Sequence, residues 1–253
     1  MEIHNLSYAY PKQAPVLNRI NLTIEAGKIT TIIGPNGSGK STLLSILTRH
    51  LQAKKGTVIL DKQELHQFSK QDFSRKLAAL QQENIAPGDY TVKQLVMYGR
   101  LPHQHFLRKT TKDEKIVQQA LQQMKLVEKQ ESLLAELSGG ERQRAWLAMA
   151  LAQETEYLIL DEPTTYLDLT YQIELLKLIQ TLNQTQKLTI IMVLHDLNQA
   201  SQYSDEIIIM HHGEISAKGT PNEVITPRML QDVYGVSGEL IQHPSGRPYI
   251  LPY

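Results

Sequence analysis

The sequence predicts an α/β fold, a mostly parallel sheet with flanking helices that is interrupted by a helical insertion. Three observations carry this expectation. Short apolar, β-branched runs alternate with stretches of helical spacing, the signature of parallel strands joined by crossover helices. One such run, Ile29-Thr30-Thr31-Ile32-Ile33, ends abruptly in a glycine-rich turn that opens a helix. Between about Gln82 and Glu154 the strand pattern gives way to helical spacing alone.

From the N-terminus, Ile3, Leu6 and Tyr8 read as a strand that stops at Tyr10-Pro11, and Ile20, Leu22 and Ile24 alternate toward a turn at Gly27. A helix beginning near Lys40 carries Leu43, Leu44, Ile46 and Leu47, and residues 57–60 add a strand. Helices are predicted over 92–98, 113–126 and 141–153, with breaks at Pro87-Gly88 and at Pro102. Buried-type strands return at 157–160, 188–194 and 206–210. The expected organisation is one domain over 1–253, with a core formed by 1–82 and 155–253 and a helical insertion over 83–154.

Composition narrows the function classes. The chain has 253 residues, enough for one large domain, and its 26 basic residues balance 26 acidic ones, so it lacks the basic footprint of a nucleic-acid binder. With no cysteine, disulfides, thiolate metal sites and cysteine nucleophiles are excluded. Met1-Glu2-Ile3-His4 lacks the basic start and apolar stretch of a signal peptide. The longest apolar runs, such as 145–152 and 188–194, fall short of the ~20 residues of a spanning helix. The chain is expected to serve a membrane only through a partner.

Gly34-Pro35-Asn36-Gly37-Ser38-Gly39-Lys40-Ser41, followed by Thr42, has the spacing of a phosphate-binding loop. Glycines allow a tight loop whose backbone N–H groups point at phosphate oxygens, and the following helix adds its positive end. In that chemistry Lys40 bridges the β- and γ-phosphates and the Ser41 hydroxyl ligates Mg²⁺. The apolar run 157–160 ends in Asp161-Glu162, which a parallel strand delivers to the crevice where nucleotides bind. Asp161 would hold Mg²⁺ through water and Glu162 would polarise the attacking water; a solvated acidic turn is the simpler alternative. His195 follows the strand at 188–194 and reaches the same end of the sheet, as a γ-phosphate contact or as a plain cap. Ser138-Gly139-Gly140-Glu141 opens a helix. Ser138 and Glu141 form a capping box, and two glycines in the first turn, where each costs ~1 kcal/mol against Ala, point to an anion site as well.

This constellation resembles the ATP-binding-cassette family over essentially the whole chain. The glycine-rich loop is similar to that family's Walker A, residues 137–143 to its signature motif, and 158–162 to its Walker B strand with the catalytic glutamate. His195 matches the switch histidine, and Tyr166-Leu167-Asp168 the D-loop. In Leu80-Gln81-Gln82-Glu83, Gln82 sits where the family's Q-loop glutamine lies, with Gln81 in place of a frequent proline. Tyr10 resembles the aromatic that stacks on adenine, a plain strand-end tyrosine being the alternative.

The resemblance implies a P-loop NTPase fold with an N-terminal antiparallel β subdomain and an inserted helical subdomain. It implies ATP and Mg²⁺ as cofactors, with Ser41, Gln82 and Asp161 around the metal and Asp168 among the nucleotide residues. It further implies a head-to-tail pair of cassettes, with ATP between one chain's Walker A and the other's signature. A separate permease and a substrate-binding protein complete the assembly, at the cytoplasmic face of the membrane.

Pro163-Thr164-Thr165-Tyr166-Leu167-Asp168, 194–200 and Gly219-Thr220-Pro221 resemble the ferric-siderophore, haem and cobalamin importer branch. Tyr98-Gly99-Arg100 is where a permease helix is expected to dock, an ordinary surface helix end being the alternative. A soluble cassette ATPase of iron–sulfur cluster assembly is the rival function. DNA-repair and translation-factor cassettes are expected to need a long coiled-coil insertion or two cassettes in one chain, for which 253 residues leave no room, and no Asn-Lys-x-Asp guanine-reading element is present.

Overall fold

The computed structural model describes residues 1–82, 84–87, 89–104 and 110–253; Glu83 of the Gln82 loop and Gly88 of the expected break lie outside the described residues. In chain order the strands are β1 (Glu2–Ala9), β2 (Pro15–Thr23), β3 (Ile29–Ile33), β4 (Lys55–Leu60), β5 (Gln63–Glu64), β6 (Leu77–Leu80), β7 (Tyr157–Asp161), β8 (Thr189–Val193), β9 (Glu206–His211), β10 (Glu214–Gly219), β11 (Gly238–Gln242) and β12 (Pro248–Pro252). The principal helices are α1 (Lys40–Leu47), α2 (Lys70–Lys76), α3 (Val92–Tyr98), α4 (Thr111–Gln123), α5 (Gly139–Ala152), α6 (Leu169–Gln186) and α7 (Leu197–Tyr203). The described residues form two compact units, one of 1–68 with 180–253 and one of 69–179.

In the first unit β8, β3 and β9 run parallel, with Thr30 opposite Ile191 on one side and Glu206 on the other. All five residues of β3 and of β8 are buried, as strands covered on both faces must be, so they read as unbroken apolar runs in the sequence. β10 closes the edge antiparallel to β9 and alternates exposed with half-buried residues. A separate antiparallel sheet pairs β2 with β1, β1 with β4 and β4 with β5. It buries Ile3, Leu6, Leu17, Ile20 and Val58. A C-terminal hairpin, β11–β12, is pinned to α7 by Asn198, whose side chain donates to the Ile250 carbonyl (3.1 Å) and accepts from the Ile250 N–H (2.7 Å).

The second unit pairs β6 with β7 in parallel and gathers α3, α4 and α5. Capping boxes start all three helices, at Thr91, Thr110 and Ser138. The last turn of α3 leads into Arg100, which is 2% exposed. Its Nε donates to Asp113 Oδ1 (3.0 Å), and its Nη1 donates to the Ala152 carbonyl (2.6 Å) and to Glu154 Oε2 (2.9 Å). Burial works against the charge on Asp113, but hydrogen bonds from Arg100 and Thr110 outweigh it and hold the carboxyl below its ordinary range. Arg100 is therefore an internal strut between the end of α3, the start of α4 and the end of α5. Of Tyr98-Gly99-Arg100, where a permease helix is expected to dock, Tyr98 is 46% exposed and Arg100 is withdrawn into the interior.

Breaking such a pair leaves a buried charge without its partner. Arg100→Met is expected to destabilise the chain by about 3–5 kcal/mol, read from the denaturant midpoint. A loss below about 1 kcal/mol, the value of a surface pair, would show that the cluster adds nothing as a strut.

Candidate nucleotide site

The phosphate loop begins where β3 ends. Gly34 has φ +152°, and a Cβ there would lie 2.2 Å from the Met210 carbonyl oxygen of β9. The close approach of two neighbouring parallel strands thus requires glycine at this position. Pro35, Asn36 and Gly37 cross the open end of the sheet, Asn36 and Gly37 being exposed. Ser38 and Gly39 return to the interior, and Gly39, with φ +101°, stands at the N-cap of α1. Lys40 is 6% exposed, and its ammonium donates to the carbonyls of Gly34 (2.8 Å) and Pro35 (3.0 Å), drawing the loop round one positive charge. Ser41 is exposed on the first turn of α1, and Thr42 is buried beside it.

Other candidates stand around this loop within the same unit. The Tyr10 hydroxyl lies 3.3 Å from Thr42 Oγ1, and its ring meets that of Tyr8 edge-on at 5.1 Å. His195 is exposed two residues beyond β8, at the same carboxyl edge of the parallel strands from which the loop leaves β3. Asp196 beside it caps α7, accepting from the Gln199 N–H at 2.9 Å.

Tyr234 belongs to no motif of the sequence. Burial pushes its phenol well above the usual range, and a hydrogen bond from the Gly34 backbone works against that rise. The loop's first residue is thus tied to a residue 200 positions further along the chain. No local pattern signals such a contact.

In the second unit Asp161 ends β7 and Glu162 follows with φ +49°, a left-handed backbone that non-glycine residues rarely hold. Glu162 Oε2 accepts from Gln82 Nε2 (2.8 Å) and from the Thr165 hydroxyl (3.2 Å). The glutamine placed by resemblance and the glutamate placed by strand geometry therefore share a hydrogen bond. Beyond Thr164 and Tyr166, Asp168 caps α6 by accepting from the Tyr171 N–H at 3.1 Å.

The helix start at Ser138 has the expected box. Ser138 Oγ accepts from the Glu141 N–H (3.3 Å), and Glu141 Oε2 accepts from the Ser138 N–H (2.9 Å). The Lys129 ammonium, 2.7 Å from Glu141, and these Ser138 bonds bring the Glu141 carboxyl down to about 2. The turn is thereby held by a permanently charged carboxylate at neutral pH, while Gly139 is exposed.

A sequence profile of the ABC transporter family matches residues 17–165, from ahead of the phosphate loop through Glu162 to Thr165. The chain belongs to this family. It is 42% identical over 253 residues, all of this chain and 92% of the relative, to the petrobactin import ATP-binding protein FpuC of Bacillus anthracis. It is 44% identical over 240 residues, 94% of this chain and 89% of the relative, to the iron(3+)-hydroxamate import ATP-binding protein FhuC of Bacillus subtilis. The dimeric structure of a bacterial ABC transporter cassette superposes with a TM-score of 0.75 at 25% identity, covering 87% of this chain and 97% of that one. The antiparallel sheet, the parallel strands and the helical part are those of an ABC cassette.

The cassette's residues fit a nucleoside triphosphate with magnesium. The Ser38 hydroxyl oxygen is buried in the loop with no hydrogen-bond partner among the described residues, a polar atom that a phosphate oxygen would satisfy. Gly37 faces open space, so a ligand can approach its backbone. Ser41 in the first unit, and Asp161 and Gln82 in the second, each carry a hard oxygen donor of the kind Mg²⁺ takes. Among the described residues no group of three or more His, Cys, Asp or Glu could hold a metal by itself. A magnesium ion bound by a carboxylate, a hydroxyl and phosphate oxygens does not need one.

Proposed function

We propose that this chain is the ATP-hydrolysing subunit of an importer for siderophore-chelated iron. Two cassettes act together against a separate membrane permease, at the cytoplasmic face, with a substrate-binding protein delivering the cargo. The observation that carries the cargo class is the pair of relatives. Both match nearly their full lengths; one is named for petrobactin import and the other for iron(3+)-hydroxamate import. The reading therefore stops at iron chelates as a class. Neither relative is named for iron–sulfur cluster assembly, which leaves that rival without a supporting observation. Among the described residues no helix is long and apolar enough to cross a membrane, in keeping with a pore built by another subunit.

The division of labour follows from the side chains. The loop amides and Lys40 hold the β- and γ-phosphates, and Tyr10 covers the base. Glu162 orients and deprotonates the attacking water, and Gln82 and Thr165 fix the direction of its carboxylate. His195 holds the γ-phosphate side of the site. The Ser138-Gly139-Gly140 turn offers the amides of a helix start to the partner cassette's nucleotide. When bound, Mg²⁺ would supply neutralisation of the phosphate charge. Asp161, Ser41 and the Gln82 side-chain oxygen are its proposed holders.

The test is uptake of radiolabelled ferric hydroxamate and ferric petrobactin by cells whose only copy is wild type or Glu162→Gln. Wild-type uptake of at least one chelate, lost in the variant, is the expected result. Equal uptake of both chelates in the two strains would remove the iron-chelate assignment.

A further inference from the structure

The two glycines of the Ser138 turn are glycines for different physical reasons. A Cβ built on Gly139 meets nothing within 4 Å. A Cβ built on Gly140 would lie 2.8 Å from Tyr171 Cδ1, closer than real Cβ atoms come, and 3.0 Å from its Cγ, tighter than most. Gly139 is thus open to an incoming anion, whereas the space beside Gly140 already holds an aromatic ring.

Tyr171 is 37% exposed, and the helix start that carries its ring is held at several points. Tyr171 stands in the first turn of α6, where its N–H is capped by Asp168. The guanidinium carbon of Arg144, one turn along α5 from Gly140, is 6.0 Å from the ring centroid, and Arg144 also pairs with Glu174 at 3.9 Å. The next residue, Gln172, donates from Nε2 to the carbonyls of Leu167 (2.9 Å) and Thr164 (3.2 Å). Those carbonyls belong to the loop that Glu162 opens, and Thr165 of the same loop donates to Glu162 itself. One helical turn therefore touches the signature turn with Tyr171 and grips the Glu162 loop with Gln172. All of these residues lie within the 69–179 unit.

We propose that Tyr171 is a positioning residue whose ring seats the signature turn on the start of α6. The contact then couples the position of the anion-binding amides at Ser138–Gly140 to that of the hydrolytic loop at 162–168. This rests on the reading of the chain as one of a pair of ATP-hydrolysing cassettes. In such a pair the Glu162 loop serves the chain's own nucleotide and the signature turn serves its partner's. The Tyr171–Gly140 contact then joins the two sites mechanically, which gives Tyr171 a role in turnover and none in the first capture of ATP by the phosphate loop.

The test is a double-mutant cycle on the purified full chain. ATP hydrolysis, ATP affinity and thermal stability are measured for wild type, Tyr171→Phe, Tyr171→Ala, Gly140→Ala and the Gly140→Ala/Tyr171→Ala double variant. Tyr171→Phe, which keeps the ring, is expected within about twofold of wild type. Tyr171→Ala is expected to lower kcat about tenfold while leaving ATP affinity unchanged. Gly140→Ala is expected to cost about tenfold or more in the wild-type background and under about twofold where Tyr171 is already alanine.

Gly139→Ala, made in both backgrounds, is expected to cost the same in each, since its Cβ does not meet the ring. Tyr171→Leu serves as the background if Tyr171→Ala does not fold. Equal losses for Gly140→Ala in the two backgrounds would show that the ligand, and not the ring, demands glycine there, and would overturn the proposal. So would Tyr171→Ala with wild-type kcat. A wild-type chain that binds no ATP would instead overturn the cassette reading and this role with it.

Discussion

Glu162→Gln protein is expected to bind ATP as tightly as wild type and to hydrolyse it at least about 10²-fold more slowly, the scale of losing a general base. The substitution preserves volume and removes the basic oxygen. Glu162 Oε2 accepts from Gln82 Nε2 at 2.8 Å and from the Thr165 hydroxyl at 3.2 Å. A glutamine can keep one oxygen toward those donors, so the loop at 162–168 retains its shape. What is lost is the proton acceptor. Because ATP enters the site and is not consumed, the variant is also expected to accumulate as a nucleotide-bound pair, seen as an ATP-dependent shift in size-exclusion elution. Phosphate release at the wild-type rate would remove Glu162 from the chemistry. A slow variant that also fails to bind ATP would point to a collapsed loop, and the left-handed backbone at Glu162 (φ +49°) would then be the place to look.

The legible parts of this chain are those where local chemistry and tertiary role coincide. β3, β8 and β9 are buried almost throughout and therefore show as apolar runs, and the phosphate loop needs glycine, lysine and serine at fixed spacing whatever surrounds it. The predicted helix at 141–153 is α5 with its start moved back to Gly139, where the Ser138 cap sets it. β6, by contrast, reads Leu-Ala-Ala-Leu, a weak strand former, and is a strand because it pairs with β7. The β11–β12 hairpin mixes proline, glutamate and glutamine with its apolar residues, so it carries no clean alternation. It is ordered by bonds to Asn198 that no window of local sequence contains.

Within the site the same division holds. The Gln82–Glu162 bond joins residues 80 positions apart, and the Gly34–Tyr234 contact joins residues 200 apart; motifs mark both partners of the first without showing the bond, and only Gly34 of the second. Gly139 and Gly140 look alike in sequence, both reading as cleared for an anion. The structure separates them, because Tyr171 occupies the volume beside one and nothing occupies it beside the other. Composition at a motif reports that a side chain is absent. It does not report what fills the space.

Lys40→Ala is expected to weaken ATP binding by about 10²-fold or more, since hydrogen bonds to a charged group contribute roughly 1.5–3 kcal/mol each and more than one is lost. The residue acts twice. Its ammonium bridges the Gly34 and Pro35 carbonyls at 2.8 and 3.0 Å, which closes the turn of the loop. With ATP present it is the buried positive charge nearest the loop's amides, in a place where little water competes for it. Alanine removes the charge and leaves both carbonyls without that donor, so a modest fall in thermal stability should accompany the loss of binding.

The two effects are separable by calorimetry at a temperature where the variant is fully folded. Lys40→Met keeps an apolar stem of similar reach and should recover part of the stability with none of the affinity. Should Lys40→Met bind ATP within about threefold of wild type, the charge would not be what holds the phosphates. The seat of the nucleotide would then have to be sought in the loop amides alone.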